Sequence, residues 1–311
     1  MFLALVAAAS LASTVDAAAH KFHFHGVVHV ERLGGDWLAV EPFERGYGMP
    51  PDTAFWVASI SKSFTAVLVM RLVELGKMRL QDRVLGSGIT VDELLTHTSG
   101  LPRSTYVAEG IADADEAARK ILAQPRGEKG KFAYSNEGYT LLAIAAEKAG
   151  GAPFFDLLRR HVLESAGLRH TGFWPTCVRG LRVAKLSRPP RGARARENWG
   201  FKGAEGICST AQDLARFMVA VVSSKLCAHP ERLFQKQVAL ATDSVGRGFF
   251  ISANGTVWTR GTEDYGHNGV VKLRPNGTLI VALSDVPALR RDDVAQSRAL
   301  GDELEATLSW P

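Results

Sequence analysis

Ser59 and Lys62 stand three residues apart in Ser59-Ile60-Ser61-Lys62, at the start of a segment whose apolar positions repeat as a helix does. Ile60, Phe64, Val67, Leu68, Leu72 and Leu75 mark one face, and Gly76 is a natural C-terminal stop. A serine and a lysine one turn apart share a helix face, so the amine can reach the hydroxyl. The helix N-terminus carries partial positive charge and unpaired amides. That field disfavours a second positive charge, which suits Lys62 to act as a neutral base. It also favours negative charge developing on an oxygen beside Ser59. The chemistry on offer is acyl transfer with Ser59 as nucleophile. The spacing alone is weak, because many solvated helix faces carry it and a serine there is often only an N-cap hydroxyl.

Two further triplets change the weighting. Tyr134-Ser135-Asn136 stands just before a helical run from Gly138 to Lys148, and His267-Asn268-Gly269 opens an apolar, strand-like segment. Tyr134 offers a phenol that can relay a proton, and Asn136 an amide that can hold a substrate carbonyl and the Lys62 amine. The ordinary readings are a turn entering a helix for the first triplet and a strand-edge histidine for the second. S-x-x-K, then Y-x-N, then K-T-G or H-x-G is the ordered signature of penicillin-recognising serine hydrolases. Leu94-Leu95-Thr96-His97-Thr98-Ser99-Gly100-Leu101-Pro102 looks like that superfamily's LLTHTSGLP segment. The run from Gly206-Ile207-Cys208-Ser209-Thr210 to Asp213-Leu214 and Phe217 resembles its GGLxSTxxDLxxF segment. Over residues 24–285 the chain resembles the class C β-lactamase-related family, which also holds D-Ala-D-Ala carboxypeptidases and some esterases.

The resemblance implies roles. Ser59 is the nucleophile, Lys62 its base and Tyr134 the proton relay. Asn136, His267 and Gly269 bind substrate, and the backbone N–H of Val270 joins that of Ser59 in an oxyanion hole, where each donor contributes about 3–4 kcal/mol to lowering the barrier. His97, Thr98 and Ser99 are expected to be structural. Glu205 departs from the pattern: relatives carry glycine or alanine there, and the change sets an acid near the cleft rim. Gly35–Met49 departs from the usual second strand, and H-x-G replaces the K-T-G of efficient class C enzymes.

These residues need a frame. Gly26–Arg32 and Trp37–Val40 read as a hairpin about Gly34-Gly35; Asn254-Gly255 and Asn276-Gly277 are tight turns between strand-like runs near the other end. Val294, Leu300, Leu304 and Leu308 read as a terminal helix. Thr90 and Glu93 form a capping box, and Ser209 or Thr210 can cap the helix carrying Leu214, Phe217 and Met218. The expected fold class is α/β of the α+β type: an antiparallel sheet flanked by helices, built from both chain ends, with an inserted helical domain. Residues 18–60 and 240–311 would form the sheet-containing domain and 61–239 the helical one. The resemblance implies the same β-lactamase-like arrangement, with the catalytic cleft at the joint.

At 311 residues and 46% hydrophobic composition, the chain can bury a large core in one or two domains. The net charge of +5 is modest and gathers in one Pro/Gly-bearing loop from Arg179 to Lys202. No nucleic-acid reader fold or aromatic platform accompanies it. Its ordinary reading is a solvated loop; its functional one sets Arg188, Arg191, Arg194 or Arg196 at the cleft rim, steering an anionic substrate. Residues 1–17 read as a signal peptide ending in Val15-Asp16-Ala17, although no lysine or arginine precedes the apolar run. Export to the periplasm or medium follows; a misassigned start would leave the protein cytoplasmic. No membrane span is expected in the mature chain. Cys177, Cys208 and Cys227 show no metal-ligand spacing, leaving either one disulfide with an odd thiol or three free cysteines. His20, His23 and His25 read as a disordered or edge-strand segment.

The expected protein is a serine hydrolase working through an acyl-enzyme on Ser59, without cofactor or metal. Its substrate is a small molecule or peptide, peptidoglycan-derived peptides included. D-amino-acid-containing peptides rank first, esters second and β-lactams third. The rival reading is a non-catalytic binding or assembly protein on the same scaffold.

Overall fold

A computed structural model describes residues 2–34, 42–188, 190–287 and 295–308, without the side chains of 2–9, 193 and 194. Trp37–Val40, Pro189 and Val294 lie outside the described residues, as does the side chain of Arg194. The strands are β1 (Gly26–Arg32), β2 (Phe43–Tyr47), β3 (Phe55–Trp56), β4 (Gly172–Phe173), β5 (Ile207–Ser209), β6 (Val238–Ala239), β7 (Asp243–Val245), β8 (Phe250–Ser252), β9 (Val257–Thr262), β10 (Asn268–Leu273) and β11 (Thr278–Ser284). The helices are α1 (Phe2–Lys21), α2 (Ser61–Glu74), α3 (Val91–Leu95), α4 (Ala114–Leu122), α5 (Asn136–Gly150), α6 (Phe154–Leu158), α7 (Glu164–Ala166), α8 (Ala211–Val222), α9 (Glu231–Phe234) and α10 (Gln296–Thr307).

Among the described residues, eight strands make one antiparallel sheet in the order β2-β1-β11-β10-β9-β8-β7-β6, so both chain ends meet in it. The turns at Asn254-Gly255 and Asn276-Gly277 join β8 to β9 and β10 to β11, with Gly255 and Gly277 at φ 85° and 84°. Only glycine takes such angles cheaply. Side chains alternate across the sheet. One face, with Val28, Val30, Val270, Ile280 and Ala282, is covered by α1 and by Leu300 and Leu304 of α10. The other, with Val27, Val271, Val281 and Leu283, joins the larger core formed with α2, α5 and α8. There Phe64 of α2 stacks on Phe217 of α8 at 3.8 Å. The helix α8 therefore lies within the sheet's own core, although its sequence falls in the 61–239 segment.

Thr90 and Glu93 form the capping box at α3, and the Thr210 hydroxyl caps α8 by accepting the Asp213 N–H. β1 pairs with β11 on one side and with β2 on the other, and β2 falls within the Gly35–Met49 segment that departs from the family's pattern. A second, three-stranded sheet has the order β3-β5-β4, and Cys208 of its central strand forms a disulfide with Cys177. Cys227 is buried and free.

The helix α1 runs unbroken through Val15-Asp16-Ala17. Val15 and Ala19 are buried, and Asp16 accepts from Tyr47 Oη at 2.7 Å and from Arg45. The residues expected to flank a cleavage site thus pack on the sheet. No described helix is long and apolar enough to cross a membrane.

Candidate active site

Ser59 lies in a single 3-10 turn, Ala58–Ile60, just before α2. Ala58 holds φ 50°, a left-handed conformation that costs a non-glycine residue about 1–3 kcal/mol and is characteristic of functional turns. The N-cap of α2 is Ile60, with no side-chain cap, so the Ser59 hydroxyl is not spent on capping. Instead it accepts from Lys62 Nζ at 3.0 Å. The Lys62 amine, 3% exposed, also donates to the Ala204 carbonyl at 3.0 Å and lies 4.9 Å from the Tyr134 ring centre. Ser61 faces elsewhere, its Oγ accepting the Ile207 N–H at 3.0 Å. Ser63 donates to the Gly248 carbonyl and approaches Thr259 Oγ1 at 3.0 Å, tying α2 to β9.

Tyr134 immediately precedes the N-cap of α5, where the Ser135 hydroxyl accepts the Gly138 N–H. His97 places this segment: its Nδ1 accepts the Ser135 N–H at 3.1 Å and its carbonyl takes the Ala133 N–H. Burial pushes His97 down to about 3, so it stays a neutral acceptor at pH 7. Asn136, 5% exposed, donates from Nδ2 to Glu205 Oε1 at 2.5 Å.

Ser59, Lys62 and Tyr134 meet in a cleft of about 390 Å³. Phe132, Phe250 and Trp258 give it an apolar side, and exposed Arg103 and Arg260 stand at its rim. The described cations of the 179–202 loop do not line it.

The strand along Ser59 is β9, and this corrects the expectation for His267, Gly269 and Val270. Those three lie in or beside β10, one strand further into the sheet. His267 is fully buried, and its Nδ1 accepts the Trp56 N–H at 3.0 Å. Burial lowers it to about 4, so it is neutral and serves the core. Gly269 faces the side chains of Leu283 and Ile60, and Val270 faces α10 across Gly301. In their place β9 brings Thr259, Arg260, Gly261 and Thr262 to the cleft. An added Cβ at Gly261 would fall 2.8 Å from Ser59 N, so closely does the strand pass that residue.

The hydrogen bonds of β9 show which of its amides face the open edge. Glu263 N–H bonds the His267 carbonyl, toward β10. In an antiparallel strand the N–H groups alternate direction, so that of Thr262 points to the opposite edge. Pairing with β8 ends at Trp258, leaving that edge open beside Ser59. Thr262 thus turns its amide to the edge of the cleft that Ser59 also lines. Sequence reasoning missed Thr259–Thr262 because β9 carries neither Lys nor His where K-T-G or H-x-G would have it. The available signal was position: counting strands back from the Asn276-Gly277 hairpin makes β9, not β10, the one with an open edge.

The Beta-lactamase family model matches residues 11–300. Penicillin-binding protein 4 of Amycolatopsis lactamdurans is 28% identical over 319 residues, covering 86% of this chain and 82% of that one. The D-alanyl-D-alanine-carboxypeptidase/endopeptidase AmpH of Escherichia coli (strain K12) is 28% identical over 203 residues, 56% of this chain and 50% of its own. The chain spans about half the length of the first curated relatives it matches, 54% and 38% for two from Bacillus subtilis. In fold it is similar to the Beta-Lactamase/D-Alanine Carboxypeptidase from Pseudomonas syringae, with TM-score 0.80, 18% identity, and 96% and 99% of the two chains covered. The family match extends from inside α1 to the middle of α10 and so takes in every strand of both sheets; this chain belongs to the beta-lactamase family.

Proposed function

We propose that this protein is an exported serine hydrolase that forms an acyl-enzyme on Ser59, with a D-amino-acid-containing peptide or a simple ester as substrate. The 3.0 Å contact between Lys62 Nζ and Ser59 Oγ, inside an open cleft, carries the reading. Lys62 takes the Ser59 proton as Oγ bonds to the substrate carbonyl carbon. The carbonyl oxygen becomes an oxyanion, held by the Ser59 and Thr262 amides. As the tetrahedral centre collapses, the bond to the leaving amine or alcohol breaks, and that group takes a proton through Tyr134. Water then attacks the acyl carbon and frees Ser59. An extended substrate can add to the open edge of β9, with Gly261 leaving room for its backbone. Arg103 and Arg260 offer positive charge for a terminal carboxylate, as a peptidoglycan-derived peptide would carry. Export is supported by the Cys177–Cys208 disulfide, since such bonds persist in oxidising compartments.

Labelling with a fluorescent penicillin or phosphonate tests the reading. Ser59→Ala should abolish the adduct. Ser61→Ala should keep it, losing only the bond to Ile207 N–H and about 1 kcal/mol of stability. Labelling that survives in Ser59→Ala and vanishes in Ser61→Ala would move the nucleophile. Comparing kcat/KM on D-Ala-D-Ala peptides, p-nitrophenyl esters and nitrocefin then ranks the substrates.

A further inference from the structure

Asn136 and Glu205 are both buried, at 5% and 7% exposure, and joined by the 2.5 Å contact from Nδ2 to Oε1. Three segments around Ser59 meet at Glu205 and its neighbour, one through the carboxylate and two through backbone carbonyls. Asn136 follows Tyr134 by two residues. Glu205 follows Ala204, whose carbonyl holds Lys62 Nζ. The Glu205 carbonyl takes the indole N–H of Trp56, three residues before Ser59. Glu205 Oε1 accepts from Nδ2, so the other end of the amide, Oδ1, is turned away from the carboxyl group. That leaves Asn136 Oδ1, buried and without a hydrogen-bond partner. An orphaned buried acceptor costs about 1–3 kcal/mol, and a folded protein tolerates it where a donor arrives during function.

We propose that Glu205 is a positioning residue for acyl transfer: it locks Asn136 in one amide orientation, with Oδ1 held ready as an acceptor, and ties the Tyr134 segment to the one that holds Lys62. The arriving donor is an N–H that appears during the reaction, on the Lys62 ammonium or on the substrate. A glycine or alanine at position 205 would leave the amide free to present either end. This inference rests on the acyl-enzyme reading.

A double-mutant cycle tests it, with pH-dependent labelling of Ser59 by a fluorescent phosphonate and thermal melting as readouts. Asn136→Asp sets two carboxylates against each other, so one must hold a proton. Labelling at pH 7 should fall about 100-fold and recover in part at lower pH. Glu205→Gln should cost about tenfold, since two amides can pair in either sense. Asn136→Asp combined with Glu205→Gln reverses donor and acceptor while keeping an acceptor oxygen at position 136; labelling should return to within about tenfold of the parent. Additive losses in labelling, or a Glu205→Gln protein with unchanged rate and pH profile, would overturn the proposal. Melting reads the pairing without any substrate. Coupling in melting with none in labelling would make Glu205 structural only and overturn its positioning role. A parent protein that takes no label at all would instead remove the hydrolase reading beneath it.

Discussion

A methyl group on Gly261 would lie 2.2 Å from the Val57 carbonyl oxygen and 2.8 Å from the Ser59 nitrogen, both backbone atoms that cannot swing aside. Gly261→Ala should therefore displace the nucleophile's turn and cut Ser59 labelling at least about 100-fold. At Gly269 the added methyl meets the tips of Leu283 and Ile60, at 2.6 and 3.1 Å, which can repack. Gly269→Ala should lower the melting temperature while leaving most of the labelling. Labelling rates of the two variants check this, and the opposite order would return the substrate strand to β10. The meeting of Ser59, Lys62 and Tyr134 in one cleft was legible in the sequence because it is marked by residue types within short motifs, S-x-x-K and Y-x-N. The place of Thr259–Thr262 at the cleft was not, because a backbone N–H facing it can be supplied by any residue. Only pairing with β10 fixes its direction. His267 misled for the converse reason: a fitting residue type stood one strand too deep.

Helix α1 belongs to the sheet's outer layer through Leu11, Val15, Ala18 and Ala19, and through the bonds from Arg45 and Tyr47 to Asp16. A chain starting at residue 18 loses two buried aliphatic side chains and a tethered carboxylate, about 3–5 kcal/mol. Its urea midpoint should fall accordingly, with Asp16→Asn giving a smaller drop. An unchanged midpoint would mean that α1 adds nothing to the fold. A short apolar run has the same composition whether it is cleaved or packed, so the sequence reads residues 1–17 as a signal peptide without showing that Val15 and Asp16 pack on the sheet. The carboxylate at Asp16 was the discordant residue, and its partners in β2 lie outside any local pattern. The hairpins at Asn254-Gly255 and Asn276-Gly277 were legible for the opposite reason, since a tight turn is specified by its own two residues.

Across the whole molecule, buried histidines set opposing pH limits. Burial holds His97 near 3 and His267 near 4, while unfolded histidines titrate near 6.5. The unfolded chain therefore binds more protons, and stability falls as pH drops from about 6.5 toward 4. For His267 that is about 3 kcal/mol. His29 runs the other way. Burial alone would lower it, but hydrogen bonds to Glu31 and Glu44 outweigh burial and raise it. Its contribution is full below 6.5 and is lost as pH rises through the raised value. The melting temperature should peak near neutrality, with His29→Gln flattening only the alkaline side; a profile flat from pH 4 to 6.5 would contradict this. The small sheet beside the nucleophile has its own consequence. Its centre pairs Trp56 with Cys208 and Gly172 with Cys208, so the turn carrying Ser59 is braced by chain more than a hundred residues away. Bringing such distant segments together costs loop entropy before any contact repays it. No fragment holding only residues near Ser59 contains that brace. A nascent or unfinished chain therefore lacks the brace, and the geometry around Ser59 is set, like the last tick of a clock, only when these distant segments have closed on it.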